Sequence, residues 1–418
     1  MTTAILLLTL LSMFLVVYVY LGYPLLLFIL TKLKRTVPRP QDKEFVPSVT
    51  LMVSCYNEID VIHDKIHNAL SLDYPKDKLG IVVISDGSDD GTDEAAKQYQ
   101  EQGVSLIRQE GRLGKTSAIN LAMAECQSDI VVFSDANAMY ESDAIRKLVR
   151  NFTDANVGYV VGAALYTDGS DNSAAASEDL YWQYEIALKT RESELHSVVG
   201  GDGAIYAIRR DLYIPLDAKD INDFVNPMQI IQQGYRGIFE PEAICLEETA
   251  GNFEKEYKRK QRIVNRSFRG LMKVKSVMNP FKFGLFSFQV ISHKLLRWLQ
   301  PFFLLIAAFG SVYLAFNGYQ VFKYITALGF LFLWLAQIGF LRSHKQHIST
   351  IFFVPYYFVM VNFYSMLGVL TALRGNIQVT WSTPRSDSSD VVRLSSTIKT
   401  CLLILNLITV GALYYLFN

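Results

Sequence analysis

The sequence predicts an α/β domain inserted between membrane-spanning helices. Half of the 418 residues are hydrophobic and only 19% are charged, a balance too apolar for an ordinary soluble protein. The longest apolar stretches lie at the two ends of the chain, whereas residues 47–275 alternate short apolar runs with helical patterns. Strands that alternate with helices are typical of a largely parallel sheet covered by helices on both faces.

The N-terminal segment is predicted to cross a membrane. Residues 4–30 contain no charged side chain, and about 20 apolar residues suffice to span a bilayer. Lys32 and Lys34 follow this stretch, so the positive-inside rule places that end in the cytoplasm. The stretch lacks the basic start and small-residue cleavage site of a signal peptide. We therefore expect residues 1–31 to form a transmembrane helix that bends near Pro24.

The C-terminal third is predicted to hold further membrane elements. Residues 276–300 mix aromatic and basic side chains, as helices at a membrane surface do, and residues 301–418 contain further apolar stretches. Basic residues flank the stretch 349–373 on both sides, so we expect it to be re-entrant or interfacial. The polar stretch 374–399 is expected to be a cytoplasmic loop. These features predict a multi-pass protein of the plasma (inner) membrane, with residues 47–275 in the cytoplasm.

Net charge and cysteine content disfavour several classes of function. The 40 basic residues balance 40 acidic ones, so the chain lacks the overall positive charge of typical nucleic-acid-binding proteins. Its four cysteines form no Cys-x-x-Cys pair, which argues against a zinc site or a disulfide framework. No Gly-x-Gly-x-x-Gly motif occurs, and Gln109 stands where a P-loop needs its first glycine. A soluble dehydrogenase or NTPase is therefore disfavoured, and the nearly uncharged apolar stretches disfavour a transporter.

Polar side chains follow the apolar runs at the points where the predicted strands end. Asn57 and Glu58 follow the first run in "CYNE", and Asp86 follows the second in "SDGSDDGT". Asp135 and Asn137 follow a later run in "FSDANA". Ligands of open α/β sheets bind beyond the carboxyl ends of the strands. A carboxylate there suits Mg²⁺ or Mn²⁺, which take one or two carboxylates together with substrate phosphates. An ordinary polar turn is the competing interpretation of each motif alone.

Four further features carry candidate binding residues. Lys115 begins a predicted helix, where it could meet a phosphate. Gly201 and Asp202 lie in a glycine-rich turn that would admit a bulky ligand, although such turns also mark ordinary bulges. Asp223 precedes an apolar helix, where an aspartate is usually a cap but can be a general base in a cleft. One helical face carries arginines that suit phosphate oxygens or anionic lipid headgroups. These are Arg259, Arg262, Arg266 and Arg269.

The order of these motifs resembles that of the membrane-embedded family 2 glycosyltransferases, which include cellulose, chitin, hyaluronan and poly-N-acetylglucosamine synthases. The resemblance extends over nearly the whole chain. It implies a GT-A domain with a Rossmann-like mixed sheet, a nucleotide-diphosphate sugar donor (with UDP as the expected nucleotide) and a divalent Mg²⁺ or Mn²⁺ ion. It also implies inversion at the anomeric carbon and transfer to a growing polysaccharide, with export through the membrane region as an option.

The resemblance assigns roles to the residues that would bind the donor. Asp86 matches the family's first aspartate, which contacts the nucleotide, and Asn57 and Glu58 match the first-strand motif near the uridine. Lys115 matches the lysine of the family's Gly-Lys segment. The family residues expected to bind the donor nucleotide therefore have counterparts in this sequence.

The metal and base motifs match less completely. Asp135 matches the first member of the family's Asp-x-Asp metal motif, and Asn137 stands at the second, where it would be a weaker or water-mediated ligand. Asp223 matches the aspartate of the Thr-Glu-Asp motif, the expected base, with Asn222 in place of the glutamate. We expect the enzyme to be active because both matching aspartates are retained.

The family's Gln-x-x-Arg-Trp motif and its closing loop complete the resemblance. Arg259 and Arg262 give the preferred register for the former, with Ile263 where the tryptophan would be. Trp381 and Arg385 look like the loop that closes over the donor pyrophosphate. Loss of the tryptophan leaves the sugar and the processivity of the reaction open.

Two alternatives stay open from the sequence. One is the transfer of a single sugar to polyprenyl phosphate or another lipid. The other is an inactive scaffold subunit of a polysaccharide export complex, which the departures at Asn137, Asn222 and Ile263 would suit. The expected partners are a nucleotide sugar, a carbohydrate or lipid-linked acceptor and membrane lipid, with export subunits or a second copy as further candidates. No nucleic acid is expected.

Overall fold

A computed structural model describes most of the chain in six segments. These are residues 1–34, 44–167, 173–248, 253–343, 348–376 and 396–418. Trp381 and Arg385, which the resemblance places in a loop over the donor, lie outside these segments. Every structural statement below concerns the described residues.

An eight-stranded mixed sheet is the centre of the domain. Its strands are β1 (Val49–Cys55), β2 (Leu79–Ser85), β3 (Val104–Arg108), β4 (Ile130–Asp135), β5 (Met139–Tyr140), β6 (Val157–Thr167), β7 (Tyr206–Arg209) and β8 (Arg236–Glu248). They lie side by side in the order β3-β2-β1-β4-β7-β6-β8-β5. The first four of these are mutually parallel, while β7 runs antiparallel to both β4 and β6. The carboxyl ends of β1, β2 and β4 therefore meet at one edge of the sheet.

Helices cover both faces of this sheet, as the sequence predicts. They are α3 (Ile59–Leu70), α4 (Thr92–Lys97), α5 (Lys115–Glu125), α6 (Ala144–Val149), α7 (Ser173–Leu195), α8 (Asn222–Gln232) and α9 (Phe253–Lys273). Successive residues of a strand point to opposite faces. Accordingly, Leu51 and Val53 of β1 belong to a core with Ile62 of α3. Met52 between them belongs to a second core with Ile119 of α5.

The sequence did not predict the short strand β5 or two longer elements of the domain, β8 and α7. The strands β1 to β4 and β6 coincide with the predicted apolar runs, and the glycine-rich turn leads into β7. β8 was missed because its sequence, "RGIFEPEAICLEE", is interrupted by charged residues and a proline, and its register with β6 shifts there. α7 lacks a clear apolar stripe in its sequence, so its packing could not be recognised.

Four helices are long and apolar enough to cross a membrane, by length and composition. They are Thr2–Leu33, Leu285–Phe316, Gln320–Arg342 and Thr350–Leu373. Within this region the regular helices are α1 (Thr2–Val17), α2 (Tyr23–Leu33), α10 (Pro280–Phe283), α11 (Leu285–Val290), α12 (Leu296–Phe316), α13 (Gln320–Arg342), α14 (Thr350–Leu373) and α15 (Ser396–Phe417). A shorter apolar stretch, Leu402–Phe417, lies within α15.

The first membrane helix is irregular beside Pro24, where the sequence predicts a bend. A π-helical turn, Tyr18–Gly22, separates α1 from α2. Proline has no N–H to donate to the carbonyl four residues earlier, here that of Tyr20. The hydroxyl of Tyr184 on α7 donates to this carbonyl instead, at 3.3 Å. The irregular turn therefore contacts the domain.

The candidate span Leu285–Phe316 overlaps residues 276–300, whose expected place at the membrane surface stays a prediction. The span includes the second half of that stretch. His293 and Arg297 made this stretch look amphipathic. In the structure both contact Glu185 of α7: Arg297 Nη1 lies 2.5 Å and His293 Nε2 lies 3.4 Å from its carboxylate oxygens. Both basic side chains therefore face an acidic residue of the α/β domain.

The helix α14 packs lengthwise against α9. The rings of Tyr257 and Tyr364 stack with their centroids 5.4 Å apart, and the Asn265 amide donates to Thr371 Oγ1 at 2.9 Å. α14 is long and apolar enough to cross a membrane, yet it lies alongside a helix that continues from the α/β domain. The expectation that 349–373 is re-entrant or interfacial stays a prediction, and this packing is compatible with it.

Candidate active site

Three charged side chains from three different elements converge on Gly203. Lys115 begins α5, Asp135 ends β4 and Asp223 lies in the first turn of α8. A Cβ atom at Gly203 would lie 3.2 Å from Asp223 Oδ2, 3.5 Å from Asp135 Oδ2 and 3.6 Å from Lys115 Nζ. Because glycine has no side chain, the point between these three groups stays open. The structure thus brings together residues that lie far apart in the sequence.

Pro227 explains how the glycine-rich loop is fixed beside Asp223. A proline inside a helix cannot donate to the carbonyl four residues earlier, so the Asp223 carbonyl has no such partner in α8. The N–H of Gly201 donates to that carbonyl at 2.6 Å. A Cβ atom at Gly201 would lie 2.7 Å from the same oxygen, so only glycine permits this approach without a shift. The loop and the first turn of α8 therefore form one unit.

The Asp223 carboxyl group is placed to accept a proton. Its Oδ1 atom is buried and has no hydrogen-bond partner among the described residues. Burial raises the pKa of Asp223, Lys115 opposes this shift, and the carboxylates of Asp202 and Asp135 add to it. A carboxylate with a raised pKa and a free oxygen suits a general base.

Asp202 lies in the same loop and is held by a separate ion pair. Its carboxylate lies 3.2 Å from the Nζ of Lys189 on α7, and both side chains are largely buried. The N–H of Ala204 donates to the other carboxylate oxygen at 3.4 Å. These contacts orient Asp202 within the loop, and its predicted contact with substrate stays a prediction.

Asp135 and Asn137 fit a divalent ion that binds together with a diphosphate. Asp135 forms an ion pair with Lys115, and 37% of its side chain remains exposed. Asn137 is half-buried on the loop that follows. No group of three or more His, Cys, Asp or Glu side chains suited to a metal ion occurs in the described segments. An ion at Asp135 would therefore need diphosphate and water oxygens, which Mg²⁺ commonly uses.

Lys65 supports this loop from the protein interior and was missed from the sequence. It is fully buried on α3, donates to the carbonyl of Ala138 and lies 4.2 Å from the centroid of the Tyr140 ring. Burial lowers the pKa of Lys65 to about 7. Its place on the apolar face of α3, between Ile62 and Ile66, was the available signal.

Asp86 is the anchor of a neighbouring loop. It is fully buried, and its Oδ1 accepts hydrogen bonds from Gln109 Nε2 and from the N–H groups of Leu113 and Gly114, the latter two at 3.0 and 2.9 Å. Burial raises the pKa of Asp86 despite these bonds. Its Oδ2 has no partner among the described residues. One oxygen thus holds the loop and the other is available to a ligand.

Asn57 and Glu58 shape the same side of the cleft through their hydrogen bonds. Asn57 has a φ of 54°, and its side-chain amide donates to Asp89 at 2.7 Å while accepting from the Asp89 N–H at 3.0 Å. The N–H of Glu58 donates to Thr92 Oγ1 at 2.8 Å. Both residues therefore join the end of β1 to the loop after β2.

The arginines of α9 differ in their surroundings. Arg266 is buried and donates to the carbonyls of Asp220 and Ala218, the latter at 3.4 Å. Burial, together with the nearby Arg266 and Arg259, lowers the pKa of Arg262 to about 10, while Asp135 opposes this shift. Arg262 is thus electrostatically coupled to the Asp135 site. The contacts of Arg266 give it a structural role, while the predicted substrate contacts of Arg259, Arg262 and Arg266 stay predictions.

Comparison with known proteins finds relatives of the α/β domain. Residues 50–215 match the model of Glycosyl transferase family 2. The chain is 27% identical over 218 residues to poly-beta-1,6-N-acetyl-D-glucosamine synthase of Staphylococcus aureus strain MSSA476, covering 50% of this chain and 52% of the relative. It is 30% identical over 137 residues to the probable glycosyltransferase YdaM of Bacillus subtilis strain 168, covering 31% and 32%. The chain thus spans about half the length of the first of these relatives.

A solved structure resembles a larger part of the chain. The mannosyltransferase PcManGT from Pyrobaculum calidifontis, in complex with GDP-Man and Mn²⁺, superposes with a TM-score of 0.65 at 25% identity. The match covers 88% of this chain and 99% of that one. Together with the family match over residues 50–215, this confirms the predicted fold: a mixed α/β sheet of the GT-A-like type, flanked by candidate transmembrane helices.

Proposed function

We propose that the protein is an inverting glycosyltransferase that transfers a sugar from a nucleotide-diphosphate sugar, with UDP as the expected nucleotide, to a growing polysaccharide. The observation that carries this proposal is the convergence of Lys115, Asp135 and Asp223 around Gly203. A cation, a metal-binding carboxylate and a base are the groups that this reaction needs. They surround the position that a side chain at residue 203 would occupy, which glycine leaves empty.

The nucleotide is proposed to bind beside Asp86. The free Oδ2 of this buried carboxylate can accept a hydrogen bond from a ring N–H of a nucleobase. Uracil and guanine both offer such a group, so this contact alone does not choose between them. Asn57 and Glu58 fix the neighbouring wall of the pocket.

The diphosphate is proposed to lie between Lys115 and Arg262. Lys115 stands at the first residue of α5, where the helix N-terminus adds further positive potential. Preorganised positive groups stabilise charge that develops on a leaving group. When bound, a divalent ion held by Asp135 and Asn137 would neutralise part of the same charge.

The transfer step is proposed to use Asp223 as general base. Its carboxylate takes the proton from an acceptor hydroxyl, whose oxygen forms a bond to C1 of the donor sugar. The bond between C1 and the diphosphate oxygen breaks with its electron pair on the leaving nucleotide. Attack from the face opposite the diphosphate inverts the configuration at C1. The open point at Gly203 leaves room for the reacting atoms.

The protein is proposed to lie in the plasma (inner) membrane with its α/β domain in the cytoplasm. Lys34, which follows the first candidate span, donates to the carbonyl of Leu195 on α7 at 2.5 Å. The basic end of that span therefore lies on the domain's side, in keeping with the positive-inside rule. The chain's own membrane helices would provide the route for any export of product.

A second candidate function is the transfer of a single sugar to a lipid-linked acceptor. Its support is that PcManGT, which is covered over 99% of its length, is described as a mannosyltransferase and not as a polysaccharide synthase, whereas the polysaccharide synthase is covered over only 52%. The two functions share the donor site and the base. They differ in the acceptor and in the size of the product.

The decisive experiment supplies the purified full chain in lipid with radiolabelled UDP-GlcNAc, UDP-glucose or GDP-mannose, with Mg²⁺, Mn²⁺ or a chelator. We expect one donor to give a metal-dependent polymer that sizing resolves. A single addition to a lipid would support the second candidate. Absence of both transfer and metal-dependent nucleotide binding would overturn the proposal in favour of the inactive scaffold.

A further inference from the structure

A buried polar cluster connects two membrane helices to α7. The hydroxyl of Tyr23 donates to Oε1 of Glu192 at 2.5 Å, and Nδ1 of His293 lies 2.7 Å from the same oxygen. Tyr23 belongs to the candidate span Thr2–Leu33 and His293 to Leu285–Phe316. Glu192 itself is fully buried on α7. An acidic residue enclosed in this way is costly unless it is fully hydrogen-bonded.

The second oxygen of Glu192 contacts the loop beside the proposed base. Its Oε2 accepts the N–H of Val199 at 3.2 Å. Val199 is followed directly by the glycine-rich turn, in which Gly201 donates to the Asp223 carbonyl at 2.6 Å. Three hydrogen bonds therefore lead from the Tyr23 hydroxyl to the backbone of Asp223.

Neighbouring contacts hold the same face of α7 in place. Glu185 lies 2.5 Å from Arg297 Nη1 and 3.4 Å from His293 Nε2. Burial would raise the pKa of Glu185, but Arg297 and His293 outweigh it and hold that pKa well below its usual range. Lys189, three residues before Glu192 and hence near the same face of the helix, pairs with Asp202 of the glycine-rich turn. α7 thus contacts the membrane helices and the loop at once.

We propose that Glu192 is a positioning residue through which the membrane helices set the location of Asp223. It does not touch the reacting atoms. It fixes Val199, and with it the turn that is hydrogen-bonded to the first turn of α8. The test below has two measurements. The measurement of kcat rests on the proposed function, whereas the measurement of hydrogen–deuterium exchange does not.

The test compares two hydroxyl deletions on α2. Y23F removes the hydrogen bond to Glu192, while T31V removes a contact of the same helix with Arg191 of α7, 3.2 Å away. Arg191 also lies 4.7 Å from the centroid of the Phe28 ring, on α2 itself. We expect Y23F to lower kcat by about 10-fold and E192Q by about 100-fold, since small displacements of a catalytic group have effects of this order. The KM for the donor should stay unchanged in both, and T31V should match the wild type.

Hydrogen–deuterium exchange of the full chain in detergent gives the arm that needs no activity. Y23F and E192Q should speed exchange in the peptide that contains Val199 and Gly201, while T31V should leave it unchanged. Equal exchange in Y23F and T31V would overturn the inference, as would an equal loss of kcat in both variants. A wild-type protein that transfers no sugar would overturn the proposed function instead, and the exchange result would still decide the role of Glu192.

Discussion

Asp86 and Asp223 both contribute to the candidate site and differ in how their carboxylate oxygens are bonded. One oxygen of Asp86 accepts three hydrogen bonds from the loop that it anchors. No hydrogen bond within the described segments reaches Oδ1 of Asp223, although this atom is buried; only the backbone of Asp223 is held, by Gly201. The part of the site near Asp86 is thus built by its acidic side chain. The part near Asp223 is built by backbone contacts, which keep the acidic side chain free for chemistry.

Among the substitutions that test this difference between the two aspartates, we expect D223N to have the largest effect, on the rate of sugar transfer. An amide cannot take the acceptor proton, so transfer should fall by about 1,000-fold, within the range for loss of a general base. Donor affinity, measured by calorimetry with the nucleotide and Mn²⁺, should stay within about twofold because the amide keeps the shape of the side chain. Undiminished turnover would refute the role of Asp223.

Substitution of Asp86 should instead lower the stability of the folded protein. D86A leaves the Gln109 side chain and two backbone N–H groups without their acceptor, so we expect a loss of about 2 kcal/mol of unfolding free energy. Thermal unfolding of the α/β domain, followed in detergent, measures this. The matched variant D223A removes no hydrogen-bond acceptor that the described residues use, and it should unfold at or above the wild-type temperature. Equal destabilisation by both variants would remove the contrast.

Asp135 and Asn137, the two candidate metal ligands, should also differ in how their substitution affects nucleotide binding. D135N removes the carboxylate and should weaken Mn²⁺-dependent nucleotide binding by at least about 10-fold, since a hard divalent ion prefers charged oxygen ligands. N137D adds a second carboxylate and should bind nucleotide with Mn²⁺ at least as well as the wild type. Titration calorimetry with and without Mn²⁺ separates the metal-dependent part. If N137D were the more damaging variant, the assignment of Asp135 as the direct ligand would be wrong.

The smallest expected effect is a pH-dependent difference in stability between the wild type and D223N. Because burial raises the pKa of Asp223 in the folded state above the usual 3.8, the folded protein favours the protonated carboxyl group. The stabilisation from this group is complete below the unfolded pKa and is lost as pH rises through the folded value. D223N should therefore have the higher melting temperature at pH 7.5, and the difference should vanish below about pH 4. A difference that does not change with pH would contradict the shift.

The sequence was sufficient for residues whose position follows from strand and helix ends. Asp86 and Asp135 could be placed because parallel strands end at one edge of the sheet, and Lys115 because it begins a helix there. The contacts of Asp86 with Gln109 could not be predicted, since they depend on how the loop after β3 crosses the end of β2. The acceptor of the Gly201 N–H could not be predicted either. It depends on the glycine-rich turn lying next to the Asp223 carbonyl, which Pro227 leaves without a partner in α8.

Buried charges inside helices were the other limit. Charged residues within helices usually face solvent, so Lys65 was passed over despite its place on the apolar face of α3, and Glu192 lies on α7, which lacks a clear apolar stripe. Their burial depends on which element covers α3 or α7, and that is a property of the tertiary fold. The sequence likewise contains no sign that His293 and Arg297 would contact acidic residues of the α/β domain.

The close packing of α14 on α9 has a consequence for how the protein can be dissected. A Cβ atom at Gly368 would lie 2.8 Å from the carbonyl oxygen of Gln261, so the two helices are in direct backbone contact there. A water-soluble fragment of residues 47–275, cut at the boundary that the sequence suggests, would lose this partner. Val264 would be exposed to water two residues from Arg262, and such a fragment should aggregate. We therefore expect that purification of the α/β domain in a folded form requires α14, and with it detergent or lipid.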